Sequence, residues 1–142
     1  MRGYFRFTWL LLMLLVPIGC GKDYKLAPVS GRVMMDSRPL ANAEVRFVPT
    51  SGQDIPDSVA TTDDEGHYEL HAGESLGAVV GEHHVMISLD PRKNKRVFMA
   101  EGKMRAGAPG ELLPSQYNRD SKLTCTVPPE GKKDADFDLK SK

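Results

Sequence analysis

Leu123-Thr124-Cys125-Thr126-Val127, joined through Pro128 to Lys133 to Ala135-Asp136-Phe137-Asp138-Leu139, is the stretch that decides the fold class. Apolar and polar residues alternate at each step of both runs. A β-strand has a side-chain period of two, so this pattern places one set in a core and the other in water. Cys125 is in phase with Leu123 and Val127, which makes it a small inward-facing hydrophobe rather than a nucleophile. No His or Arg stands beside it in the sequence to activate a thiolate.

The same period continues upstream. Val85, Ile87 and Leu89 share one face of Gly81 to Leu89, and Tyr68 and Leu70 point inward from His67-Tyr68-Glu69-Leu70-His71. A weaker run lies near Ser58 to Thr62. Ala43, Val45 and Phe47 alternate with Glu44 and Arg46, and Val29, Gly31, Val33 and Met35 alternate with Ser30, Arg32 and Met34. Asp36 to Asn42 then reads as a hairpin loop joining these last two strands. Seven short strands, each with one apolar face, predict an all-β domain: a seven-stranded antiparallel Greek-key β-sandwich. Val33, Val45, Phe47, Tyr68, Leu70, Val85, Ile87, Phe137 and Leu139 are its expected core.

The chain of 142 residues fits one such domain, and its 19 basic and 19 acidic side chains give no net charge. Removal of Arg2 and Arg6 with the first nineteen residues leaves a slightly acidic body, with no global attraction to nucleic acid.

The amino terminus is written differently. Arg2 and Arg6 precede Trp9-Leu10-Leu11-Leu12-Met13-Leu14-Leu15-Val16, and Pro17-Ile18-Gly19-Cys20 follows. An apolar run of about ten residues is half the roughly twenty that a spanning helix needs, so residues 1–19 read as an export signal. Gly19-Cys20 at the end of that run resembles the lipobox of bacterial lipoproteins, with Pro17 where that motif usually carries Leu. The resemblance implies cleavage before Cys20, which becomes residue one and is acylated by palmitate-type chains. Several acyl chains hold a protein firmly, at about 0.8 kcal/mol per buried CH₂. Residues 20–26 are then a tether and 27–142 the domain. The expected location is the periplasmic or outer side of a membrane, and Cys125 remains as a single thiol with no internal partner.

Asp90 to Ser121 is longer than the usual connection in a compact domain and rich in Gly, Pro and charge. Arg92, Lys93, Lys95 and Arg96 cluster there as a candidate interaction loop for anionic headgroups or an acidic polymer. A solvated charged face is the plainer reading.

Several segments taken in order carry a family resemblance: Val29-x-Gly31-x-Val33, Pro39-Leu40-x-x-Ala43-x-Val45-x-Phe47-x-Pro49, Thr62-Asp63-x-x-Gly66-x-Tyr68-x-Leu70, and Gly77-Ala78-x-x-Gly81-x-His83-x-Val85-x-Ile87. Leu113-Pro114-x-x-Tyr117-Asn118, Leu123-Thr124 and Asp136-Phe137-Asp138-Leu139 continue it. The series resembles the carboxypeptidase regulatory-like, transthyretin-like domain in the small lipoprotein form of planctomycete bacteria. That resemblance implies a prealbumin-like sandwich serving as a folding or interaction module, and it brings no catalytic residues.

The remaining chemical signals favour structure. Asp63-Asp64-Glu65-Gly66 lacks the first ligand of an EF-hand-like loop, since Thr61 stands there, and it lacks the distal bidentate Glu. A hairpin in which Asp63 accepts backbone N–H bonds and Gly66 takes positive φ accounts for it. His67, Glu69 and His71 fall on one face of their run, but His67 and His71 would lie about 13 Å apart, too far to share an ion. His83 is in phase with Val85 and half-buried, and His84 points the other way. No metal or other cofactor is expected.

Hydroxyisourate hydrolase shares the transthyretin-like fold but ends in Tyr-Arg-Gly-Ser, where this chain ends Phe137-Asp138-Leu139-Lys140-Ser141-Lys142. No catalytic triad, Cys/His pair or phosphate-cradling loop is present in sequence pattern, so a hydrolase is the least favoured reading. The expectation is a non-catalytic, lipid-anchored cell-envelope interaction or structural module, with an envelope protein as partner. A carbohydrate-binding module is the alternative. Trp9 is lost with the signal, which leaves Tyr24 and Tyr117 as weak stacking residues.

Overall fold

The computed structural model describes residues 24–52, 54–89 and 113–141. Cys20 and Arg92, Lys93, Lys95 and Arg96 lie outside the described residues, as do residues 1–19, the expected export signal.

The described chain is all-β and sandwich-like, with short strands: β1 (Leu26–Ala27), β2 (Ser30–Met35), β3 (Arg38–Pro39), β4 (Glu44–Pro49), β5 (Ser58–Thr61), β6 (His67–Glu69), β7 (His71–Ala72), β8 (Ser75–Leu76), β9 (Ala78–Val79), β10 (Gly81–Ser88), β11 (Leu123–Val127) and β12 (Phe137–Leu139). A 3₁₀ turn spans Ser115–Tyr117. The larger sheet runs β11-β10-β4-β5-β7-β8 with antiparallel neighbours throughout. A smaller sheet runs β12-β2-β3, with β6 also on β2, and β1 pairs separately with β9.

Period two explains the layers. Val45, Phe47, Val85, Ile87, Cys125 and Val127 from the larger sheet and Val33, Tyr68 and Leu139 from the smaller one belong to a single buried cluster. Phe137 is half-buried against it, and its ring meets Phe47 edge-on at 6.2 Å across the two sheets. Each expected core residue is thus in or against the core.

Three expectations are corrected. The strands carrying Val33 and Val45 do not form a hairpin across 36–42, because they belong to different sheets. Instead Asp36 and Ser37 both take positive φ (48° and 65°) in a two-residue turn that folds β2 back onto β3. Asn42, at φ 57°, then leads the chain across to β4. Second, His67 to His71 is not one strand: β6 pairs with β2, whereas β7 pairs with β5. Leu70 is the crossing point. Its N–H donates to the Val29 carbonyl and its own carbonyl accepts from Gly77, so neither group continues a single ladder. Third, the sheets are not antiparallel everywhere, since β12 lies parallel to β2 with Phe137 opposite Val33. Pairing also begins at Leu26, inside the segment assigned above to the tether.

β12 reaches that position through a close crossing. A Cβ on Gly31 would overlap the carbonyl oxygen of Ala135. The buried Tyr68 hydroxyl donates to the same carbonyl, and Ala135 N–H donates to Ser30 at 3.1 Å. Substituting Gly31→Ala forces the two backbones apart. Urea unfolding should show a loss of about 1–3 kcal/mol, the usual cost of overpacking a well-filled site.

Candidate functional site

The outer face of the smaller sheet holds the main polar constellation. Register places Arg32 on β2 directly opposite His67 on β6. The Arg32 guanidinium donates through Nε at 2.9 Å and Nη2 at 2.6 Å to His67 Nε2. A guanidinium has no acceptor, so this ring nitrogen must carry the lone pair and the proton must sit on Nδ1. Nδ1 lies 3.8 Å from the Glu65 carboxylate. Glu65, neutral His67 and Arg32 therefore form a short chain of alternating charge and dipole.

An open depression of about 430 Å³ surrounds this pair, lined by Ser30, Gly31, Arg32, His67, Tyr68, Lys133 and Asp136. Its polar groups are largely engaged in holding the fold. Asp136 Oδ1 accepts from Arg32 N–H at 2.8 Å, and the Tyr68 hydroxyl is buried on Ala135. Burial pushes the Tyr68 phenol far above its ordinary range, so it is no proton donor near neutrality. The arrangement can bind a polar group at its surface.

The turn at Asp63 is structural, as its spacing implies. Asp63 Oδ1 accepts from the N–H groups of Glu65 at 2.9 Å and His67 at 2.8 Å, and Gly66 sits at φ 78°. Among the described residues no group of three or more His, Cys, Asp or Glu side chains is placed to hold a metal ion. His71 is on the other sheet from His67. His84 Nε2 contacts the Ser121 carbonyl.

Cys125 is buried at 8% exposure, and burial raises its thiol above the ordinary range, with Lys132 opposing weakly. His83 is more deeply buried than its phase alone suggested. It packs against Phe47 at 5.6 Å, its Nδ1 lies 3.1 Å from the Gly81 carbonyl, and its Nε2 is buried without a protein partner. The Arg32–His67 pair was not singled out from sequence, because the two residues are far apart in the chain and only the β2–β6 register joins them. Correct pairing of those two runs would have revealed it.

No family model, curated protein or solved structure matches the chain.

Burial is the main cause that lowers the His83 pKa below the ordinary 6.5. The folded state then resists a proton that the unfolded chain accepts. Stability contributed in this way is complete above pH 6.5 and is lost as pH falls toward the lowered folded value. The limiting slope is about 1.4 kcal/mol per pH unit. Replacing His83→Leu should flatten the acid limb of a stability–pH curve below that value. An unchanged slope would assign the limb to other groups.

Proposed function

We propose that this chain is a non-catalytic, lipid-anchored module of the bacterial cell envelope, exported by residues 1–19 and held at a membrane through acylated Cys20. Its domain is read as a seven-stranded Greek-key sandwich of the carboxypeptidase regulatory-like, transthyretin-like kind. The ordered motifs from Val29 to Leu139 support that assignment, and so do the inward positions of Val33, Val45, Phe47, Val85, Ile87 and Leu139. Extra short pairings such as β3 and β8 are additions at its borders.

One observation carries the non-catalytic reading. Among the described residues, the side chains best suited to chemistry are committed to structure: Cys125 is buried with a raised pKa, Tyr68 is sealed on Ala135, and His67 is held between Arg32 and Glu65. Such a domain acts by contact. Short outer strands supply contact surfaces, with β8 and β11 at the two borders of the larger sheet and Leu76 48% exposed on β8. An envelope protein is the favoured partner, and Arg92, Lys93, Lys95 and Arg96 are a further candidate contact loop.

A carbohydrate partner is the second reading, and Tyr24, 36% exposed, is the aromatic that favours it. Tyr117 is a poorer platform because its hydroxyl accepts from Lys140 N–H at 2.9 Å. Chemical cross-linking in native membranes followed by affinity capture should return the same envelope protein in repeated preparations. Glycan-array binding that is lost on Tyr24→Ala, without a reproducible protein partner, would replace the first reading by the second.

A further inference from the structure

The point at which the chain joins the folded body is defined. Val80 N–H donates to the Lys25 carbonyl at 2.9 Å, Leu26 and Ala27 pair with Val79 and Ala78, and Ala27 is 1% exposed. From Lys25 onward the chain therefore moves with the domain. Five peptide links separate Cys20 from Lys25. Their fully extended reach is at most about 18 Å.

The domain is long compared with this leash. Gly81 follows Val80 directly, and β10 then carries the chain from Gly81 to Ser88, about 23 Å at the ordinary strand rise. Glu82 is at the beginning of that strand. Thr50 is beside it, because Thr50 N–H and its hydroxyl both donate to the Glu82 carbonyl at 2.9 and 3.0 Å. Glu44 lies at the other end, opposite Ser88.

Resting on the Cys20 anchor, we infer that the end of the domain bearing Tyr24, Lys25, Thr50, Val80 and Glu82 is its lipid-facing surface, and that the Glu44–Ser88 end points away from the bilayer. Even at full extension these five links, about 18 Å, are shorter than the roughly 23 Å of β10, so the anchor favours contact by the near end. Tyr24 suits the position, since an exposed tyrosine presents an apolar ring and a polar tip to the headgroup layer. Lys25 and Glu82 are both exposed and of opposite charge, so the orientation is set by chain length rather than by anionic lipid. It should persist at high salt.

The test uses the full acylated chain extracted from membranes and reconstituted into phosphatidylcholine vesicles containing a headgroup spin-labelled lipid. A fluorophore is attached through Glu82→Cys or Glu44→Cys, with the wild-type chain showing that buried Cys125 stays unlabelled. Glu44→Cys disrupts one partly exposed ion pair, with Arg46 at 3.0 Å, which has little effect on stability. Fluorescence should be quenched at position 82 and remain near its unquenched value at position 44, in low and high salt. Both signals should be unquenched when Cys20→Ala is added. Equal quenching at the two sites, or stronger quenching at 44, in protein that floats with the vesicles overturns the orientation and leaves the anchor in place. Failure of the purified wild-type chain to float with vesicles removes the anchor and the orientation together.

Discussion

Closure of the domain depends on the crossing of Ala135 over Gly31. β12 can lie parallel to β2 only if the preceding segment passes close to the β2 backbone, and a side chain at position 31 would occupy that space. The crossing is then fixed from several sides. Lys132 N–H donates to Pro28, Ser30 N–H to Lys132, Ala135 N–H to Ser30, and Arg32 N–H to Asp136. Tyr68 caps the Ala135 carbonyl from within the core. These bonds satisfy backbone groups that would otherwise be buried without partners, and they bring Leu139 and Phe137 over the rings and methyl groups of the larger sheet. The last turn is held at its far side as well: Asp36 N–H donates to Leu139, and Ser141 N–H donates to the Asp36 carboxylate, whose pKa is lowered first by the Ser141 side chain and then by that N–H.

The same crossing creates the polar depression. Once the C-terminal segment is fixed beside β2, Lys133 and Asp136 flank Arg32, and β6 on the opposite side supplies His67. Its side chains are the outward half of strands whose inward half is the core. Arg32 is held against the His67 imidazole, with the Asp136 carboxylate on its own backbone N–H and Glu65 on the far side of the ring. The depression is polar by composition, and the backbone hydrogen bonds below it hold its side chains in place.

Much of the fold was legible because burial imposes period two so strictly. Ala43, Val45, Phe47, Val85, Ile87, Cys125 and Leu139 were all placed on the correct face by alternation alone. The Asp63–Gly66 turn was legible because only a few residue types satisfy its bonds and its positive φ. Pairing was less accessible. Asp36-Ser37 lacks the glycine that normally signals a two-residue turn, so β3 was hidden inside what looked like a loop. The switch of sheets at Leu70 leaves the period unchanged, since a buried residue is required on either side of it. The parallel β12 depends on contacts more than a hundred residues apart, as between Arg32 and Asp136. The Arg32–His67 pair inherits the same difficulty.

The proposal of a tethered contact module rests, among the described residues, on reactive groups committed to the fold, and its tether turns on Cys20. Intact-mass and amino-terminal peptide mass spectrometry of the chain from native membranes tests this most directly. The account predicts a mature protein beginning at Cys20 and carrying acyl chains, and their loss in Cys20→Ala. A mature chain that begins elsewhere with an unmodified Cys20 would contradict it and leave a secreted module whose two thiols, Cys20 and Cys125, would need to be examined for pairing.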